Sequence, residues 1–251
     1  MNTFPQSLAE AVEQAKVATK SAIADGYGRI QVELVLPEIP LQAQALALEF
    51  AQLFESQYSS GVKVMFPDTG AAMLAKRDWG EMPFQVTDMG SRFTPIESQV
   101  SDTDEIFIVA CPSSVEVDRV EKLCNLAGDR PVILLIPQLE DVAVVGIGLA
   151  ARQLRERFIS TLYSCYYVRP ADGAYVVRNH PSPWQIWLEN SAAEGGYELA
   201  TELSSKPMGE DLERLLIQLT EGEQSETSNA APRKKPGIFG SLQKFLNALS
   251  Q

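Results

Sequence analysis

RPVILLIPQLEDVAVVGIGLAARQLRERFISTLYSCYYVRP, residues 130–170, decides the fold. It opens on the continuous apolar run Pro131–Ile136, a strand that asks to be buried on both faces. A Gly-Ile-Gly turn follows (Gly146–Gly148), then a helix from Leu149 to Ile159, then an aromatic strand from Thr161 to Val168. Strands this apolar belong in parallel sheets covered by helices, because βαβ crossovers place helices over both faces.

Upstream, strands and helices alternate. A helix is expected over Pro5–Ala24, a strand over Arg29–Leu36 and a long helix over Leu41–Tyr58. Strand Gly61–Phe66, helix Thr69–Arg77 and a strand within Met82–Met89 come next. Asp104–Ala110 is a buried strand and Ser113–Leu126 a helix, with Ser91–Ser101 the least structured part of the body. Downstream the pattern changes to short strands, Gly173–Arg178, Trp184–Glu189 and Gly196–Glu202, separated by Pro-Ala-Asp-Gly and His-Pro-Ser-Pro turns. Such connections are hairpin-like. Met208–Leu219 closes the body as a helix. The expected fold is α/β, a Rossmann-like three-layer arrangement with a mostly parallel sheet covered by helices, extended by antiparallel C-terminal hairpins. The expected organisation is one domain over 1–220, a disordered linker over 221–236 and an amphipathic tail helix over 237–251.

Composition narrows the classes. The 251 residues carry a formal charge of −12. Arg233, Lys234, Lys235 and Lys244 are four of the 21 basic residues and fall where there is no acid, leaving 17 basic against 33 acidic elsewhere, a net of −16. An acidic body argues against nucleic acid, which needs clustered cations for phosphates. Cys111, Cys124 and Cys165 are widely spaced without a CxxC pair, as suits free thiols in a reducing compartment. No run approaches the ~18 apolar residues of a membrane span. The N-terminus lacks a basic region followed by an apolar run, so neither a secretory signal nor a transit peptide is expected.

Motifs for chemistry are sparse. Gly146-Ile147-Gly148-Leu149-Ala150-Ala151 follows an apolar run and precedes a helix, the setting of a relaxed GxGxxA dinucleotide turn, with Arg152 near any phosphate held there. The same glycines also serve a tight turn and close helix packing. Arg152 and Arg155 face away from Leu154 and Phe158, either as an anion site or as a solvated face with Glu156. Asp68 after a strand and Asp78 beside Trp79 are candidate cleft acids for a cation; helix capping and turn formation are the plainer roles. His180, the one histidine, reads as a surface turn residue. Tyr166, Tyr167, Tyr175, Trp184 and Trp187 suit either a flat ligand or an interface beneath the hairpins. There is no GxSxG, Walker A or HExxH motif. No cofactor or metal is expected and no residue is assigned as catalytic.

The tail carries the clearest functional pattern. Ile238, Phe239, Leu242, Phe245, Leu246 and Leu249 fall on one face of a helix behind the cations Arg233, Lys234 and Lys235. A linker, a basic cluster and an amphipathic helix suit attachment to an anionic membrane or a partner's groove.

Four segments together are familiar: FPQSLAEAVEQAKVATKSAIADG (Phe4–Gly26), FPDTGAAMLAKRDWG (Phe66–Gly80), RPVILLIPQLEDVAVVGIGLAARQLRERF (Arg130–Phe158) and CYYVRPADGAYVVRNHPSPWQIW (Cys165–Trp187). Over roughly residues 4–205 the chain resembles an uncharacterised-domain family of cyanobacteria and chloroplasts. That family includes the low-photosystem-II-accumulation assembly factors and a domain fused to chloroplast adenylate kinases. The resemblance implies a cyanobacterial cytoplasmic or thylakoid-associated protein, an accessory factor for assembling or maintaining photosynthetic complexes, and the tail is expected to hold it peripherally on the cytoplasmic face of the thylakoid. Its expected partners are a photosystem subunit or membrane insertase, together with an anionic membrane surface. A nucleotide- or small-molecule-binding enzyme or sensor centred on Gly146 and Gly148 is the alternative.

Overall fold

The structure is a computed structural model, and it describes residues 3–90, 93–139 and 149–226. The chain divides into two compact units, Lys16–Cys165 and Met1–Ala15 with Tyr166–Gln251. The first division falls inside the opening helix, α1 (Leu8–Ala24).

The Lys16–Cys165 unit is a parallel sheet with helices. In chain order its elements are β1 (Arg29–Leu34), α2 (Ala43–Tyr58), β2 (Val62–Phe66), α3 (Thr69–Trp79), β3 (Gln85–Asp88), β4 (Ile106–Ala110), α4 (Val117–Ala127), β5 (Val132–Leu135) and α5 (Leu149–Arg157). The strands lie in the order β3-β2-β4-β5-β1, and each neighbouring pair is parallel. Every residue of β2, β4 and β5 is buried, which is why these segments read as unbroken apolar runs. One face of the sheet supplies Met65, Phe107, Val109, Val132 and Leu134 to a cluster completed by α4 (Val120, Leu123, Cys124) and by Phe158. Helix α2 packs on β2 and β4 through its buried stripe Leu46, Phe50 and Phe54.

Charged groups in and at the edge of this core are held by hydrogen bonds. Lys63 occupies a fully buried strand, and its Nζ donates to Asp104 Oδ2 and to the Gln99 carbonyl, both at 2.7 Å. The Ser101 N–H donates to the same carboxylate oxygen at 2.7 Å. A buried lysine persists only when paired and hydrogen-bonded. Arg130 ties the start of β5 to its surroundings. Its guanidinium donates to the carbonyls of Leu126, Ala127, Ser101 and Asp104 and lies 5.1 Å from the Phe107 ring centroid.

The other unit is antiparallel. β6 (Tyr163–Ala171), in which the second division falls, is followed by β7 (Ala174–Asn179), β8 (Trp184–Glu189), β9 (Tyr197–Leu203) and α6 (Gly209–Glu226). β6 pairs with β7, β7 with β8 and β8 with β9. The first hairpin turns on Asp172-Gly173, with Gly173 at φ +68°, the left-handed geometry that an Asp-Gly turn supplies. Tyr167, Val176, Trp184, Ile186 and Leu188 form one sheet face, covered by Leu212, Leu215, Leu216 and Leu219 of α6. Phe4 packs against Tyr175, Trp187 and Tyr197, with ring centroids 4.9, 5.8 and 4.2 Å away.

The α/β class, the parallel sheet and the C-terminal hairpins match the sequence reading, while three details differ from it. Helix α6 runs to Glu226, into the stretch read as linker, because its leucine stripe seats it on the sheet and no proline interrupts it. Helix α4 starts at Val117 rather than Ser113, because Glu116 folds back to accept the Ser113 N–H (3.0 Å) and Oγ (2.6 Å). His180 is 7% exposed rather than a surface residue, at a cis His180–Pro181 peptide.

Candidate functional site

From β2 the chain goes by α3 to β3, whereas from the neighbouring β4 it goes by α4 to β5 on the opposite side. The connections leaving β2 and β4 therefore diverge at the carboxyl ends of these strands. This is the place where open α/β sheets hold ligands. Asp68 follows β2 with extended backbone and caps α3, its Oδ1 accepting the Ala71 N–H at 2.9 Å. Asp88, at the end of β3, accepts the Thr69 hydroxyl on Oδ2 and the Gly90 N–H on Oδ1, both at 2.7 Å. Gly90 is required there: at φ +80° a Cβ would lie 2.3 Å from the Thr94 carbonyl oxygen.

Two residues at this edge are strained. Cys111 (φ +47°) follows β4 and Ile136 (φ +45°) follows β5, both in the left-handed region that L side chains rarely adopt. For a β-branched isoleucine such a conformation costs on the order of 1–3 kcal/mol and has to be held by its surroundings. The bonds that hold it are the Cys111 N–H to the Leu135 carbonyl (2.8 Å) and the Ile136 N–H to the Val32 carbonyl (2.7 Å). Burial, then the Glu116 carboxylate, push the Cys111 thiol up, so it stays protonated rather than becoming an activated nucleophile. Phe93 and Val115, on the connections leaving β3 and β4, are 82% and 79% exposed.

The residues singled out in the sequence separate in space. Asp68 lies at this edge. Asp78 lies at the other end of α3, so the two acids do not form one cation site. The Gln44 amide (3.1 Å) and the Arg77 guanidinium (2.8 Å) bond Asp78 and hold its carboxyl below the usual range. Arg152 is exposed on α5, and Gly146 and Gly148 lie outside the described residues. So do Arg233, Lys234, Lys235, Ile238, Phe239, Leu242, Phe245, Leu246 and Leu249. Tyr166, Tyr167, Tyr175, Trp184 and Trp187 are all buried in the antiparallel unit and its core. Among the described residues, no group of three or more His, Cys, Asp or Glu is placed to hold a metal ion. No described helix is long and apolar enough to cross a membrane.

Sequence reasoning missed three features. Asp88 was legible as an acid closing a short strand. Arg157 makes a two-bond fork with Glu121 (2.8 and 2.9 Å). The strain at Cys111 and Ile136 has no local sequence signal, since neither is a residue type that favours positive φ.

The fold defines a class: a doubly wound α/β unit accompanied by an antiparallel unit whose sheet is covered by a C-terminal helix. Residues 5–214 match the family described as a domain of unknown function (DUF1995), and the chain belongs to it. No solved structure matches the chain.

Proposed function

We propose that the chain is a non-enzymatic accessory factor for the assembly or maintenance of photosynthetic complexes. Its body holds a partner, a photosystem subunit or membrane insertase. Its basic amphipathic tail attaches it peripherally to the cytoplasmic face of the thylakoid. The support for this reading is the four-segment resemblance to the branch containing the photosystem II assembly factors, together with the basic amphipathic pattern of the tail.

The observation that carries it is how the polar groups are used at the divergent strand ends. Asp68, Asp88 and Glu116 each accept hydrogen bonds from backbone or hydroxyl groups around these strand ends, while Phe93 and Val115 are exposed on the connections leaving β3 and β4. An edge with its acids engaged and its apolar side chains outward is suited to protein contact rather than acid–base chemistry.

Sedimentation with anionic vesicles, comparing the full chain with a chain ending at Glu226, tests the attachment. Each cation near such a surface contributes about 1 kcal/mol, so loss of the tail should weaken binding by a hundredfold or more, roughly. Equal sedimentation of the two would contradict the reading.

The paired strain at Cys111 and Ile136 favours a second reading, a small ligand bound by the body, for which the sequence offers Gly146 and Gly148. A nucleotide or phosphate ligand would then raise the Tm, and Gly148→Trp would abolish the rise; no rise with any such ligand would remove the reading.

A further inference from the structure

A pocket forms at the amino ends of β1 and β5, and two helix stops shape it. Helix α1 ends on Gly26 at φ +90°, where the Gly26 N–H donates to the Ile23 carbonyl and the Tyr27 N–H to the Ala22 carbonyl, both at 3.0 Å. Helix α4 ends on Gly128 at φ +62°. The two turns deliver the chain into neighbouring parallel strands, and with the start of β6 they enclose an open pocket of about 360 Å³. That volume suits a small organic molecule. A Cβ at Gly26, Gly28 or Gly128 would meet nothing within 4 Å, so bare backbone lines this part of the pocket. Gly28 lies outside the left-handed region, so neither its conformation nor its packing calls for glycine.

Side chains set the chemistry of the pocket. The Tyr27 and Tyr163 rings stack with centroids 3.5 Å apart and planes 12° from parallel, a flat apolar wall in which Tyr27 is 38% exposed. Arg29 is held in place by neutral groups: its guanidinium donates to Thr161 Oγ1 at 3.2 Å and to Asn125 Oδ1 at 3.0 Å. Asp129 is exposed at the same pocket. Among the described residues, neither Arg29 nor Asp129 makes an ion pair, with each other or with another group. A simple anion would be drawn by Arg29 and repelled by Asp129, and a simple cation the reverse. A ligand carrying both charges satisfies both, since a charge-assisted hydrogen bond forms at each end.

We propose that this pocket binds a small zwitterion, a free α-amino acid with an aromatic side chain. Its carboxylate meets the Arg29 guanidinium, its ammonium meets the Asp129 carboxylate, and its ring lies against the Tyr27–Tyr163 stack. The site is at the opposite end of the parallel sheet from Phe93 and Val115, so its occupation and contact with a protein partner stand or fall separately.

Amide chemical shifts of the full chain test this by titration with L-phenylalanine, with hydrocinnamate, which lacks the ammonium, and with phenylalaninamide, which lacks the carboxylate. Saturable shifts centred on residues 26–29, 128–129 and 161–163 are expected with L-phenylalanine. Each truncated probe should bind about tenfold more weakly or worse. Asp129→Asn should weaken L-phenylalanine by a similar factor without weakening hydrocinnamate. Arg29→Gln should weaken L-phenylalanine without weakening the amide. Gly28→Leu, which fills open space, should abolish binding of all three probes while the urea midpoint stays near native. No saturable shift with L-phenylalanine up to about 10 mM, equal affinity for the three probes, or native binding by Gly28→Leu overturns the site. Equal weakening of L-phenylalanine and hydrocinnamate by Asp129→Asn overturns the pairing of the ammonium with Asp129.

Discussion

The two units bury their strands in different ways. In the parallel unit β2, β4 and β5 are buried at every residue, and the one cation among them, Lys63, is matched by Asp104. In the antiparallel unit β9 is half-exposed along its length, and α6 covers its sheet with four leucines while leaving an acidic outer surface. The difference separates two tasks. The first unit is a frame in which any polar error is expensive, and the second closes its core with a single covering helix.

The largest break in that comparison is Asp104→Ala. It leaves the Lys63 ammonium buried against the Gln99 carbonyl alone, and removing one member of a buried pair costs about 3–5 kcal/mol. Denaturant titration should show this as a large drop in midpoint, and a loss under about 1 kcal/mol would mean that water reaches Lys63. Leu212→Ala in α6 should cost less, about 2 kcal/mol, at the low end for a buried leucine because a surface helix can settle into the space. If it cost more than Asp104→Ala, the ranking of the two units would be reversed.

Alkali offers a finer contrast. Burial pushes the Cys124 thiol up to about 12, and burial also raises the Tyr166 and Tyr175 hydroxyls. In the unfolded chain the thiol titrates near pH ~8.5, so above that the unfolded state binds fewer protons than the native state and stability falls as pH rises. The urea midpoint should therefore decline steadily above about pH 8.5, and Cys124→Ala should shallow that decline. A flat profile would show that the thiol is not buried.

Two smaller effects mark the edges of the frame. Asp68→Ala removes the α3 cap and should cost about 1 kcal/mol. Glu121→Gln breaks the fork to Arg157, which holds the Glu121 carboxyl below its usual range. That stabilisation is present above the unfolded carboxylate pKa and is lost as pH falls through the depressed native value. With Arg157 half-exposed the effect is small and weakens further as salt rises.

The elements themselves were legible. Ile106–Ala110 and Val132–Leu135 read as buried strands because parallel pairing under helices leaves no face for polar residues, and Asp172-Gly173 announced its hairpin. What escaped depends on contacts distant in sequence. Lys63 lies 41 residues from the acid that permits its burial, and Arg130 lies 29 from Ser101, one of the four carbonyls it gathers. His180 looked like a surface turn because its neighbours in sequence are polar, yet it is buried in the fold. At the candidate edge, Asp68 was legible as a cap, whereas the positive φ of Cys111 and Ile136 arises from the sheet around them.

In the proposed function the body recognises a photosynthetic partner while the tail places it at the membrane. Affinity purification from solubilised photosynthetic membranes tests this most directly, using the full chain, the chain ending at Glu226 and a full chain with Phe93→Asp and Val115→Asp. Photosystem subunits or an insertase should be recovered with the full chain, less of them without the tail, and none with the edge variant. Identical recovery with all three, or no photosystem or insertase component with any of them, would contradict it.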